Sequence, residues 1–306
     1  MKITLIENFR AMFYAPFYAT AELGAYEAEG LEVDMKTASA AAPSLQMLAA
    51  GGGDVSWGGP MRIMLARDQD PQARTVAFCE VVGRDPFFLL GRTANAGFRM
   101  HDLVGKTIAT VSEVATPWIC LQYDLRLAGI DPSTIKRSPE RAMAKNAAAL
   151  RAGEVDVIQV FQPFARTLID EGAAHLWLAA ADRGLTSYTT LNTTRDFIDK
   201  SPDTLLRMTR AMYRTQKWIA AHEGRDLAEV VARYLPDIPV PVLAACCDEY
   251  KARGVWNRGP VVQREGLEWK REAMLSCGAI RTGLAYEDYV DMQFAEQVVR
   301  EDPPSV

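Results

Sequence analysis

The chain has 306 residues, a formal net charge of −5, 49% hydrophobic and 24% charged residues, and five cysteines. A single core rarely serves more than about 250–300 residues, so two domains are the default, and the composition excludes a disordered or fibrous chain. The acidic balance argues against a general nucleic-acid surface, and no apolar run approaches the ~18 residues of a membrane span.

Through the first 190 residues short β-rich runs alternate with helical stretches. The runs are KITLIE (2–7), LEVDMK (31–36), DVSWG (54–58), RTVAFCEVV (74–82), PFFLLGR (86–92), KTIATV (106–111), DVIQVF (156–161) and TSYTTLN (186–192). That alternation predicts an α/β fold with two mainly parallel sheets and flanking helices. A run of small residues spans 38–42. After Thr194 the pattern turns helical: Leu205, Met208, Met212 and Ile219 hold one face at a period of 3.6, with Trp218 beside it. Further helices are expected over 225–235, 239–253, 263–278 and 286–299.

The segments 86–92 and 186–193 bracket a self-contained β/α block and read as two crossing strands forming a hinge. Lobe 1 is then 1–88 plus 190–306, and lobe 2 is the insertion 89–189.

One junction recurs four times, at Ala15-Pro16, Gly59-Pro60, Thr116-Pro117 and Gln162-Pro163. Each is a strand, a short connector and a proline that can open a helix, with Thr116 and Gly59 as acceptable N-caps. In open α/β sheets ligands bind where helix N-termini meet the carboxyl ends of strands. Two junctions fall in each expected lobe, which predicts a ligand cleft between them. The candidate ligand-binding residues are those around the junctions: Asn8, Phe9, Arg10, Phe13 and Tyr14; Trp57, Gly58, Gly59 and Arg62; Glu113, Thr116 and Trp118; Gln159, Phe161 and Gln162; and Tyr188. Trp57 and Arg62 lead this set, as a flat ring and a guanidinium. Glu113 is expected either to accept from a ligand amino group or to be a solvated loop acid.

The cysteines Cys79, Cys120, Cys246, Cys247 and Cys277 form no C-x-x-C pair, and the adjacent Cys246 and Cys247 point about 100° apart on a helix, so neither a disulfide framework nor a metal site is expected. His101, His175 and His222 lie far from the junctions, and no G-x-S-x-G or H-E-x-x-H accompanies them. No catalytic residue and no cofactor are expected.

The segments KITLIEN, YAPFYATAELGAYEAEGLEVDM, GGGDVSWGGP, DLVGKTIATV and GAIRTGLAYEDYVD together resemble the NMT1-like substrate-binding proteins, which include receptors for nitrate, taurine, sulfonates and thiamine-pyrimidine precursors that feed ABC importers. The resemblance implies the two-lobed type II periplasmic binding fold, a two-strand hinge, a small-molecule ligand and an ABC transporter permease as partner, with no direct membrane insertion. The pyrimidine-precursor synthases of the same family carry a CCCFC run and a histidine in the first loop. Here SYTTLNT and Tyr14 or Ala15 stand at those places.

The expected function is capture of a small organic ligand, planar, heteroaromatic or anionic. The alternatives are a cytoplasmic enzyme of the synthase type and a ligand-sensing regulatory module. The chain opens on MKITLIENF without a secretory leader. Location is accordingly expected to be periplasmic if a leader was trimmed, and cytoplasmic if the chain is native as given.

Overall fold

The structure is a computed structural model that describes residues 2–39 and 43–306; part of the 38–42 run therefore lies outside the described residues. The chain divides into two compact units, Met1–Arg84 with Leu185–Arg271 and Ile280–Val306, and Asp85–Gly184 with Glu272–Ala279.

The chain enters the first unit through β1 (Lys2–Glu7), α1 (Ala15–Glu22), α2 (Ala25–Ala28), β2 (Glu32–Thr37), α3 (Ser44–Ala49), β3 (Val55–Gly58), α4 (Met61–Gln69) and β4 (Thr75–Val82). The second unit contains β5 (Phe88–Gly91), β6 (Thr107–Ala109), α5 (Thr116–Leu127), β7 (Lys136–Arg137), α6 (Met143–Arg151), β8 (Val157–Val160), α7 (Phe164–Asp170) and β9 (His175–Ala179). Then come β10 (Thr189–Thr194), α8 (Arg195–Lys200), α9 (Pro202–Ala221), α10 (Gly224–Val231), α11 (Val240–Ala252), α12 (Arg264–Ser276), α13 (Tyr286–Tyr289) and α14 (Gln293–Glu301).

Each unit holds one five-stranded sheet, ordered β2-β1-β3-β10-β4 in the first and β7-β6-β8-β5-β9 in the second. The expectation of mainly parallel sheets is corrected to mixed ones. β10 pairs antiparallel with both β3 and β4, and β5 pairs antiparallel with both β8 and β9. Nor is β5 a crossing strand. It is bonded on both edges inside the second sheet, as β10 is inside the first, and the crossings are the short stretches at 84–85 and 184–185.

All eight residues of β4 are buried, which is why TVAFCEVV reads as a continuous apolar run rather than an alternating one. β4 closes the first sheet, and its edge is covered by single bridges from Val290 to Ala77 and from Trp256 to Val82. The Val290 bridge explains why 286–299 is two helices, not one: the backbone must extend there to reach Ala77, whose carbonyl accepts from Asp291 N at 2.8 Å. On α9 the expected face of Leu205, Met208, Met212 and Ile219 is buried. The second core gathers Leu89, Leu103, Ile108, Leu121, Leu125 and Val157.

Candidate functional site

In the first unit β1 and β3 run parallel and end at Glu7 and Gly58, beside the start of antiparallel β10 at Thr189. The N-termini of α1, α3 and α4 follow these strand ends. Pro16 lies in the first turn of α1, Pro43 precedes α3 and Pro60 occupies the cap of α4, with no side chain capping any of the three. Free N–H groups at such termini favour negative charge.

Gly58 is the centre of a polar cluster. A Cβ placed on it would lie 3.4 Å from Ser44 Oγ, 3.8 Å from Arg62 Cδ and 3.9 Å from Asn192 Nδ2. A side chain there would fill the space these groups share, which is the reason for glycine at this position. Ser44 Oγ lies 3.4 Å from Asn8 Oδ1 and donates to the Trp57 carbonyl at 3.0 Å. Thr190 Oγ1 donates to Asn192 Oδ1 at 2.6 Å, and Asn192 Nδ2 donates to the Gly58 carbonyl at 3.4 Å. Gly59 is pressed close to the Tyr188 carbonyl.

Tyr14 adjoins this cluster. Burial pushes its phenol up to about 12, opposed by hydrogen bonds from Asn8 and Thr189 and by the positive field of Arg62. Arg62 is half-buried, and among the described residues its guanidinium has no carboxylate partner and no hydrogen bond. Half-buried Phe9 packs edge-on to Phe13 and Tyr14, and Phe13 packs edge-on to Tyr188 at 5.9 Å.

Two leading candidates of this unit are corrected. Trp57 is fully enclosed: its indole stacks on Phe17 at 4.5 Å and 12° and meets Tyr14 and Tyr18 edge-on, so it belongs to the core. Strand alternation sends Trp57 inward and leaves Gly58 at the cluster. Arg10 is tied down by the buried Glu7, to which its Nη2 donates at 3.0 Å, and lies over the rings of Tyr18 and Tyr234. Glu7 also accepts from Tyr18 at 2.5 Å and from Thr37 at 2.6 Å.

The second-unit candidates are engaged in local structure. Glu113 is exposed and accepts from Met143 N at 2.8 Å, holding the start of α6, which is a capping role rather than that of a free acid. Trp118 packs partly against the second core with Arg137 4.4 Å above its ring. Thr116 is the first helical residue of α5, with Ala115 at the cap; at α4 the cap is Pro60, not Gly59. Gln159 donates to the Pro117 carbonyl at 3.0 Å, and Gln162 accepts from Arg166 N at 2.9 Å. Phe161 is buried edge-on to Phe87.

The structure thus brings together Asn8, Phe9, Phe13, Tyr14, Gly58, Gly59, Arg62 and Tyr188, and adds Ser44, Thr189, Thr190 and Asn192, which the sequence reading missed. Clustered Thr and Asn after a Tyr in TSYTTLN were the available signal. Their position beside Gly58 depends on a strand pairing more than 130 residues apart in sequence.

Cys79, Cys120, Cys246 and Cys247 are buried, and burial pushes the Cys79 and Cys247 thiols up, away from the reactive thiolate. His222 stacks on Trp218 at 4.0 Å, while His101 and His175 are exposed. Among the described residues no group of three or more His, Cys, Asp or Glu could hold a metal ion, and no helix is long and apolar enough to cross a membrane.

The NMT1/THI5-like family model matches residues 12–225. YtlA of Bacillus subtilis (strain 168), which bears a binding-protein name, is 24% identical over 98% of this chain and 90% of its own. The periplasmic aliphatic sulphonate binding protein SsuA from Escherichia coli is similar in structure, with a TM-score of 0.75 at 14% identity, covering 94% of this chain and 97% of that one. The desulfurization enzyme DSZB, in complex with biphenyl-2-sulfinic acid, has a TM-score of 0.69 at 15% identity over 98% of this chain and 99% of its own. With most of its length matched by the family model, this chain belongs to the NMT1/THI5-like family.

Proposed function

We propose that the protein is a solute-binding protein that captures a small organic anion with a planar body and releases it unchanged. The observation that carries this reading is Arg62, a half-buried guanidinium without a carboxylate partner among the described residues, beside the hydroxyls and amides of Asn8, Tyr14, Ser44, Thr189 and Asn192. Charge left uncompensated at a helix N-terminus is suited to an anionic oxygen, and a guanidinium can meet a carboxylate or sulfonate with two parallel bonds. Phe9, with its ring half-buried, supplies the face for a flat body. The sulphonate-binding name of one structural relative and the sulfinic acid held by another agree with an organic oxyanion.

Hand-over to an ABC-type permease, a periplasmic location and the two-lobe division at 1–88 with 190–306 against 89–189 belong to the same proposal. A receptor is favoured over an enzyme because no histidine adjoins Arg62 and the buried thiols are held protonated.

The test is a thermal-melting panel of taurine, benzenesulfonate, benzoate, a thiamine-type pyrimidine and nitrate, followed by mass spectrometry of the recovered compound. Benzenesulfonate or benzoate is expected to raise the melting temperature, as any ligand of the folded state does. Arg62→Ala or Asn192→Ala is expected to shrink that shift. A panel without any shift overturns the capture reading, and a changed mass turns it into an enzyme.

A further inference from the structure

We propose that the groove between α3 and α4 is a second small-molecule site, which takes an organic anion with an apolar body and a hydrogen-bond donor at its far end. The groove encloses about 480 Å³, inside the roughly 300–1,000 Å³ range of ligand pockets. Its walls are apolar: Leu45 and Ala49 from α3 face Leu65 and Ala66 from α4. Arg62 and Gln69 bound it along α4, seven residues apart, so the apolar stretch is roughly 10 Å long at 1.5 Å per residue.

The two ends differ in charge. At one end Arg62 has no carboxylate partner among the described residues. At the other, Arg74 is already paired with Asp196 at 2.7 Å and with Asp199 at 3.8 Å. An anionic head is therefore drawn to Arg62. The far end presents acceptors: Asp70, and Thr75, whose buried hydroxyl has no hydrogen-bond partner among the described residues. A buried hydroxyl without a partner costs free energy that a ligand donor recovers. The groove shares Arg62 with the Gly58 cluster, but its walls and far end are its own.

Octanoate and 8-aminooctanoate are the probes, titrated calorimetrically into the full chain. One equivalent of each is expected to bind, the amino compound about three- to tenfold tighter, and Ala66→Phe is expected to weaken both at least about tenfold while the melting temperature of the unliganded protein stays put. If Ala66→Phe fails to fold, Ala49→Phe, on the exposed rim of the same groove, is read in its place. Asn192→Ala, which alters only the Gly58 cluster, is expected to leave both affinities unchanged, so the capture reading and this one fail separately. Parent affinity in the filled variant, or no binding to the parent protein at millimolar probe, overturns the site. Equal affinity for the two probes overturns the donor end.

Discussion

Arg62 in the first unit and Arg183 in the second carry the same charge in opposite circumstances. Arg183 is largely buried, donates to Asp85 Oδ2 at 2.7 Å and reaches Asp124 with two more nitrogens, and those aspartates hold its guanidinium charged against the cost of burial. Arg62 has no such acid among the described residues. Both regions grow from strand-to-proline-helix junctions, yet one is finished internally and the other leaves hydrogen-bonding capacity over. A junction motif therefore identifies where a site can be, while the pairing of its charges identifies whether it is one.

That contrast can be broken at several points. Arg183→Met leaves two buried aspartates without their cation and is expected to cost about 3–5 kcal/mol in denaturant unfolding. Trp57→Ala opens a cavity in the aromatic core and is expected to cost about 3–5 kcal/mol as well. A small loss there would mean that Trp57 faces a ligand after all. Arg62→Ala stands at the other extreme, with stability expected to change by no more than about 0.5 kcal/mol. A large loss would show that Arg62 has a structural partner and is not spare.

Between these lies Glu80, a carboxyl buried in β4 and held by Asn257, Gln263 N and Ser187. Burial raises it from its ordinary value of 4.5 to about 7, so the folded state keeps a proton that the unfolded chain has already lost. Its contribution is therefore fully favourable below about 4.5 and is lost as pH rises through about 7. Glu80→Gln is expected to flatten the decline in melting temperature between pH 5 and about 8 and to leave the variant more stable than the parent at the upper end. An unchanged profile would place the decline elsewhere.

Much of the fold was legible because hydrophobic period and strand length agree with burial, as in β4 and α9. β7 and β9 were missed because a two-residue KR strand and the half-exposed HLWLA carry little β signal. The α13–α14 break was hidden because its cause, the bridge to Ala77, lies some 200 residues upstream in the chain. Arg62 and Gly58 could be singled out locally, as a cation and a glycine at a helix entry. The inward turn of Trp57 and the satisfaction of Arg10 by Glu7 depend on side-chain direction and on partners that spacing alone does not specify.

The place of β10 has a consequence for biosynthesis. β3 and β4 follow each other within 25 residues of sequence, yet the strand that joins them in the sheet begins at Thr189. A nascent chain that has just released residue 185 holds every strand of the second sheet, while the first sheet still has a gap at its centre. The second unit is thus free to close as soon as it is made, and the first waits, with the flanks of β3 and β4 unpaired, for a strand whose entry completes it.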